Sequence, residues 1–146
     1  MIFFFDRCIG KNIPQALLRL KRFPVGIEYH DKHYPQRTAD DEWMPKVAAA
    51  GWIVVSQDYR YHENPSELFA MHQHGLGAFY LWGAEATQWE KLRVFARAYD
   101  RIVEKAEATK PPFLFTVTKD AQVKTLTVPY TARLGSNESG GRRAGI

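Results

Sequence analysis

The stretch GWIVVSQDYR, residues 51–60, decides how the rest of the chain is read. A glycine suited to closing a helix is followed by the apolar run 52–55, which gives way to a polar turn holding Asp58. A short, unbroken apolar run between turn signals reads as a strand covered on both faces, the habit of parallel sheets. Asp is common where strands end, so Asp58 alone decides nothing. The question is whether other strands deliver acids to the same edge.

They do. The opening run IFFF (2–5) reads as a buried strand that ends on Asp6, and VGIEY (25–29) reads as a second strand leading to Asp31. Between them, NIPQALLRLKRF (12–23) predicts a helix capped by Asn12, with Pro14 in its first turn and Ala16, Leu17, Leu20 and Phe23 on one face. Residues 30–38 are polar and loop-like. A further helix starts in TADDEWMPKVAAA (38–50), capped by Thr38 or Asp40, with acids in the first turn where the helix dipole favours them. Pro45 lies inside it and Gly51 closes it.

Beyond Asp58, NPSELFAMHQHG (64–75) predicts a helix and AFYLWG (78–83) a fourth strand. Residues 86–107 predict a long amphipathic helix whose apolar face is Trp89, Leu92, Phe95, Tyr99, Ile102 and Val103. FLFTVT (113–118) and VKTLTV (123–128) read as strands joined by a tight turn at KDAQ. Strands alternating with helices predict an α/β layer fold with a mainly parallel sheet, the last two strands forming an antiparallel hairpin at one edge. Residues 1–134 read as one domain, and 135–146, without apolar periodicity, as a disordered tail.

Composition bounds the function. The chain has 146 residues, 45% apolar and 25% charged, the balance of a soluble globular protein. Its net charge of +4 permits an anionic partner such as nucleic acid. A single cysteine, Cys8, excludes an internal disulfide and fits a reducing cytoplasm. The opening residues lack the basic and long apolar regions of a signal peptide, and no stretch has a membrane helix's length, so the expected location is cytoplasmic with no membrane partner. His72 and His74 stand two apart on a predicted helix, which points the rings away from each other and argues against a zinc site. Cys8 has no base beside it and is expected to be a buried or half-buried spectator.

Acids gathered at one sheet edge repel one another unless a cation is shared, and Mg²⁺ and Mn²⁺ prefer carboxylate oxygen. With FFFDR at the amino terminus, then ADDEW, then GWIVVSQDYR, the chain resembles the PIN-like nuclease domains, in particular the short group related to VapC toxins. Asp6 matches the acid after the first strand of that family, and Asp40 its helix-starting acid. The SQD triplet stands for its Thr-x-Asp, with Ser56 in place of Thr and Asp58 as the acid. Asp41 is the alternative to Asp40, one residue on. The interval from Asp6 to Asp40 is too short for the helical region that carries a further catalytic Glu in the usual PIN domain; Asp31, Asp41 and Glu42 are the available substitutes.

The resemblance implies a three-layer PIN-like fold and a metal-dependent endoribonuclease in which Asp6, Asp40 and Asp58 hold Mg²⁺ or Mn²⁺. It further implies RNA as substrate, the toxin of a toxin–antitoxin pair whose antitoxin covers the site, and pairing of copies. The alternative is a PIN-like scaffold that binds protein or RNA without cleaving. Arg7, Lys11 and Arg60 lie near the acids in sequence and are candidates for phosphate contact, with Arg22 and Arg37 behind them. Tyr59, Tyr61 and Trp43 are candidates for stacking on bases, Trp43 being better placed to pack on the sheet.

Overall fold

The three phenylalanines of β1 (Ile2–Phe5) are all buried, and their alternation builds the molecule. Successive side chains of a strand point to opposite faces. In the computed structural model, which describes residues 1–57 and 65–126, Phe3 and Phe5 enter one apolar core and Phe4 enters another. A strand covered on both sides needs helices on both sides, and the sequence supplies them.

The sheet has six strands in the order β2-β1-β3-β4-β5-β6, with β2 (Gly26–Tyr29), β3 (Ile53–Gln57), β4 (Gly77–Leu81), β5 (Phe113–Val117) and β6 (Val123–Thr125). Every pairing is parallel except β5 with β6, which is the antiparallel edge expected from the KDAQ turn. On one face, Ile13 and Leu17 of α1 (Asn12–Leu18) and Val94, Phe95, Ala98 and Ile102 of α5 (Gln88–Ala108) pack against Phe3, Phe5, Val55 and Phe79. On the other, Trp43, Met44 and Val47 of α3 (Asp40–Ala49) and Met71 of α4 (Pro65–Gln73) pack against Phe4, Val54, Ala78 and Tyr80. The result is an α/β arrangement of three layers: the alternation predicts the α/β layering, and the resemblance implies the three layers.

Local chemistry explains several boundaries. α5 begins with a capping box: the Glu90 backbone N–H donates to the Thr87 hydroxyl at 3.1 Å, and the Thr87 N–H donates to the Glu90 carboxylate at 2.9 Å. Gly51 ends α3 region in the left-handed conformation (φ +76°) that glycine adopts without penalty. Gly77 faces Phe113 across the sheet so closely that a Cβ there would lie 2.4 Å from the ring. Pro45 is accommodated inside α3.

Other boundaries differ from expectation. β3 runs to Gln57 and does not end at Val55, because Ser56 and Gln57 still pair with Tyr80 and Leu81. α1 stops at Leu18, and its cap is Lys11, with Asn12 already helical. Ala39 is the cap of α3, so Thr38 and Asp40 are not. The segment 30–38 contains a short helix, α2 (His30–His33). Leu20 and Trp89, placed on buried helix faces by their spacing, are 55% and 64% exposed. The tail 135–146 and the end of the 123–128 strand lie outside the described residues. Among the described residues, no helix is long and apolar enough to cross a membrane.

Candidate active site

The topology marks the place. β1 has β2 on one side and β3 on the other, so the strand order reverses between β1 and β3. In an open parallel sheet the crevice beyond the carboxyl ends of the strands at such a reversal is where ligands bind. Asp6 is the first residue past β1 and sits at that point, its N–H donating to the Val55 carbonyl at 2.9 Å.

The Asp6 carboxylate is 6% exposed and tied on both oxygens. Oδ1 accepts from the Arg7 backbone N–H at 2.7 Å. Oδ2 accepts from the Ser56 hydroxyl at 3.1 Å and lies 3.7 Å from the Cys8 thiol. Burial, the largest influence, raises its pKa, and the nearby charge of Asp40 pushes the same way. The hydrogen bonds from Arg7 and Ser56 oppose the shift without cancelling it. This is a carboxylate held at an energetic cost, fixed in place, with a second acid close enough to repel it.

That second acid starts α3. Asp40 reaches the site through Arg7, whose guanidinium donates to Asp40 Oδ1 at 3.1 Å and to the backbone carbonyls of Gln36 and Thr38 at 2.9 and 2.7 Å. The indole N–H of Trp43, one helical turn on, donates to the same Oδ1 at 3.0 Å. Among the described residues Asp40 Oδ2 makes no hydrogen bond, so one oxygen of this acid is open to a ligand.

The sequence-predicted residues therefore divide. Asp6, Arg7, Asp40, Trp43 and Ser56 come together, while Asp58, Tyr59, Arg60 and Tyr61 lie outside the described residues. Asp31 is exposed on α2, accepting from the Gln36 side chain, and Asp41 and Glu42 are exposed on α3 with no hydrogen bond to the cluster. Lys11 and Arg37 are exposed. Arg7 does not reach outward as a phosphate contact would: its guanidinium is occupied by the 36–40 segment. Cys8 is exposed, not the buried or half-buried spectator expected, although its sulfur lies 3.3 Å from the Ser56 hydroxyl. No group of three or more His, Cys, Asp or Glu residues that could hold a metal occurs among the described residues.

His30 is the residue that sequence reasoning missed. It is 1% exposed, with its ring among Phe4, Tyr34 and Trp43 at centroid distances of 6.4, 5.6 and 6.0 Å. Burial lowers its pKa, with the Asp6 charge acting in the opposite direction, so the ring is neutral at physiological pH. Neither nitrogen has a hydrogen-bond partner among the described residues, Nδ1 lying 3.8 Å from Asp31 Oδ1. A polar residue after a strand carries no sequence signal of such burial.

A family profile described as PIN like domain matches residues 1–83, more than half of the chain. Nothing matches among the curated proteins or the solved structures.

Proposed function

The chain belongs to the PIN-like domain family, and on that premise we propose that it is a metal-dependent endoribonuclease hydrolysing RNA phosphodiesters. PIN-like domains are generally nucleases that bind nucleic acid and typically use divalent metals. The observation that carries the reading is the pairing of a buried acid, Asp6, with a second acid, Asp40, whose charge acts on it, at the strand-order reversal. Their mutual repulsion suits a cation, as does the open oxygen of Asp40.

In this reading Asp6 and Asp40 hold Mg²⁺ or Mn²⁺, with Asp58 as third ligand. Such a cation supplies Lewis acidity at the scissile phosphate and lowers the pKa of a water. The protein's own part is positional. Ser56 and the Arg7 N–H orient the Asp6 carboxylate. Trp43 and Arg7 both bind one oxygen of Asp40 and so leave the other available to a cation. Preorganised ligands of this kind are what a metal site requires of its surroundings.

The finer reading is a VapC-like toxin in the cytoplasm whose antitoxin covers the acids, working as a homodimer. Residues 1–134 form its catalytic domain. Purified chain incubated with RNA should cleave in Mg²⁺ or Mn²⁺ and stop in EDTA. Asp6→Asn, Asp40→Asn and Asp58→Asn should each abolish cleavage with the fold retained. Metal-dependent cleavage that survives all three substitutions refutes the assignment.

A second reading, a PIN-like module that binds without cleaving, has one observation in its favour. The Arg7 guanidinium already offers Asp40 a positive partner. Calorimetric titration with Mn²⁺ separates the two, since only the nuclease needs a tight cation site.

A further inference from the structure

Leu20 and Trp89 are large, apolar and exposed, and they belong to one feature. A cleft of about 600 Å³ runs between the end of α1 and the first half of α5. Leu17, Leu20, Phe23 and Pro24 form one wall; Trp89, Leu92 and Ala96 form the other. An apolar cleft left open to water on an otherwise charged surface marks an interaction site more often than a packing defect.

The surroundings of the cleft select the partner. Its only charged lining residues are Arg93 and Arg97, one turn apart on α5. The turn that closes the other wall adds exposed Arg19, Lys21 and Arg22. None of these cations forms a salt bridge with an acid among the described residues. The nearest acids along α5 are Glu90, which has a carboxylate oxygen engaged in the capping box with Thr87, and the exposed Asp100, whose charge acts on Tyr99. The cleft is thus apolar inside and predominantly cationic at its margin.

We propose that this cleft docks an amphipathic helix of a partner protein, with apolar residues on one face and acidic residues along its border. A helix presents apolar side chains at i, i+3 or i+4 and i+7, the spacing that fills a groove between two helices. Its flanking carboxylates would meet Arg93, Arg97 and the 19–22 turn. A second copy of this chain fits less well, because pairing this face with itself sets cations against cations. RNA also fits less well: of the aromatic lining residues only Trp89 is exposed, Phe23 and Tyr99 being half-buried and Phe95 buried, so successive bases would find a single stacking platform. The inference does not rest on the nuclease reading.

A display library of random peptides about 16 residues long, enough for four helical turns, is selected against the full chain. Enriched peptides should be acidic and amphipathic. Leu20→Asp and the double variant Arg93→Glu/Arg97→Glu should each weaken a synthesised peptide at least about tenfold in fluorescence anisotropy, as loss of central anchors does. Affinity should also fall as salt rises. These side chains are exposed, so circular dichroism should be unchanged, and Asp6→Asn should bind the peptide like the parent. The proposal is overturned if no enriched peptide responds to the cleft substitutions. It is equally overturned if those substitutions instead weaken binding of a short oligouridylate, or convert a dimer to a monomer in light scattering.

Discussion

Asp6, the residue just past β1, and Glu28, on the paired strand β2, are treated by the fold in opposite ways. Glu28 pairs in register with Phe4 on β1, two residues before Asp6. Burial is the largest single influence on each and raises both pKa values. At Glu28 it is outweighed: His33 and Lys32 approach the carboxylate to 2.6 and 3.1 Å and hold its pKa below the usual range. At Asp6 it is not outweighed, because the Arg7 guanidinium, the one nearby among the described residues, is turned toward Asp40 and the loop. In the proposed reading, the acid that stays costly to ionise is the one kept for an outside charge, while the neighbour one strand away is already neutralised by its ion pair.

The largest expected effect breaks the comparison most directly. Asp6→Asn should reduce ribonuclease activity and Mn²⁺ affinity by at least about a hundredfold, since even outer-shell partners of a metal are worth about 10–100-fold. Glu28→Gln should leave both within about twofold, as loss of an exposed ion pair does. Cleavage rates and calorimetric titrations of the two variants, run side by side, decide it. Equal losses would mean the burial of Asp6 has no bearing on activity.

Stability against pH sharpens the same contrast. Asp6 has a native pKa above its unfolded value, so between the two the folded chain holds a proton the unfolded chain has released. Stability from this group therefore falls as pH rises through that window. Glu28 has the reverse sign: its contribution is present above the unfolded pKa and fades as pH falls toward the lowered native one. Without metal, Asp6→Asn should be more stable than the parent at neutral pH, by roughly 1 kcal/mol, and the gain should vanish in acid. Urea midpoints at several pH values measure this. Added Mn²⁺ should stabilise the parent and leave Asp6→Asn unmoved.

Much of this site was legible in the sequence, and the rest was hidden for physical reasons. Apolar runs ending in acids placed Asp6 at a strand end, and the helix start placed Asp40 nearby. Ser56 was visible as the Thr substitute of SQD, and its hydroxyl indeed binds Asp6. The indole of Trp43 was read as core, which it is, but its N–H also reaches Asp40, a bond that the i,i+3 spacing alone permits. The partners of Arg7 were not legible: a charged residue after a strand says nothing about which distant carbonyls fold onto it. Leu20 and Trp89 fit the apolar helix period and yet stay outside: Leu20 because α1 ends at Leu18, before the period reaches it, and Trp89 because period gives a face and not what covers it.

Arg7 tests how the two acids are kept together, with an intermediate effect. Arg7→Gln removes the donors to Gln36, Thr38 and Asp40 and leaves Asp40 and Asp6 facing each other without the guanidinium between them. With the Arg7 side chain about one-third exposed, the expected loss is about 1–2 kcal/mol, measured by urea denaturation. Arg7→Lys keeps the charge but not the fork that spans three acceptors, so it should recover only part of the loss. Full recovery would show that charge alone matters.

Glu28 itself supplies the smallest effect, and its size is what gives the comparison meaning. Glu28→Gln removes an ion pair with Lys32, whose side chain is 48% exposed, and takes the charge out of a hydrogen bond with His33. Solvent screens the first, and a glutamine oxygen can still accept the second, so the expected loss is under about 1 kcal/mol at neutral pH. It should shrink further in high salt and disappear below the pH at which Glu28 protonates. Paired denaturation curves at low and high ionic strength are the measurement. A salt-insensitive loss several times larger would mean that Glu28 is buried in effect, and that the two strands carry acids of the same kind after all.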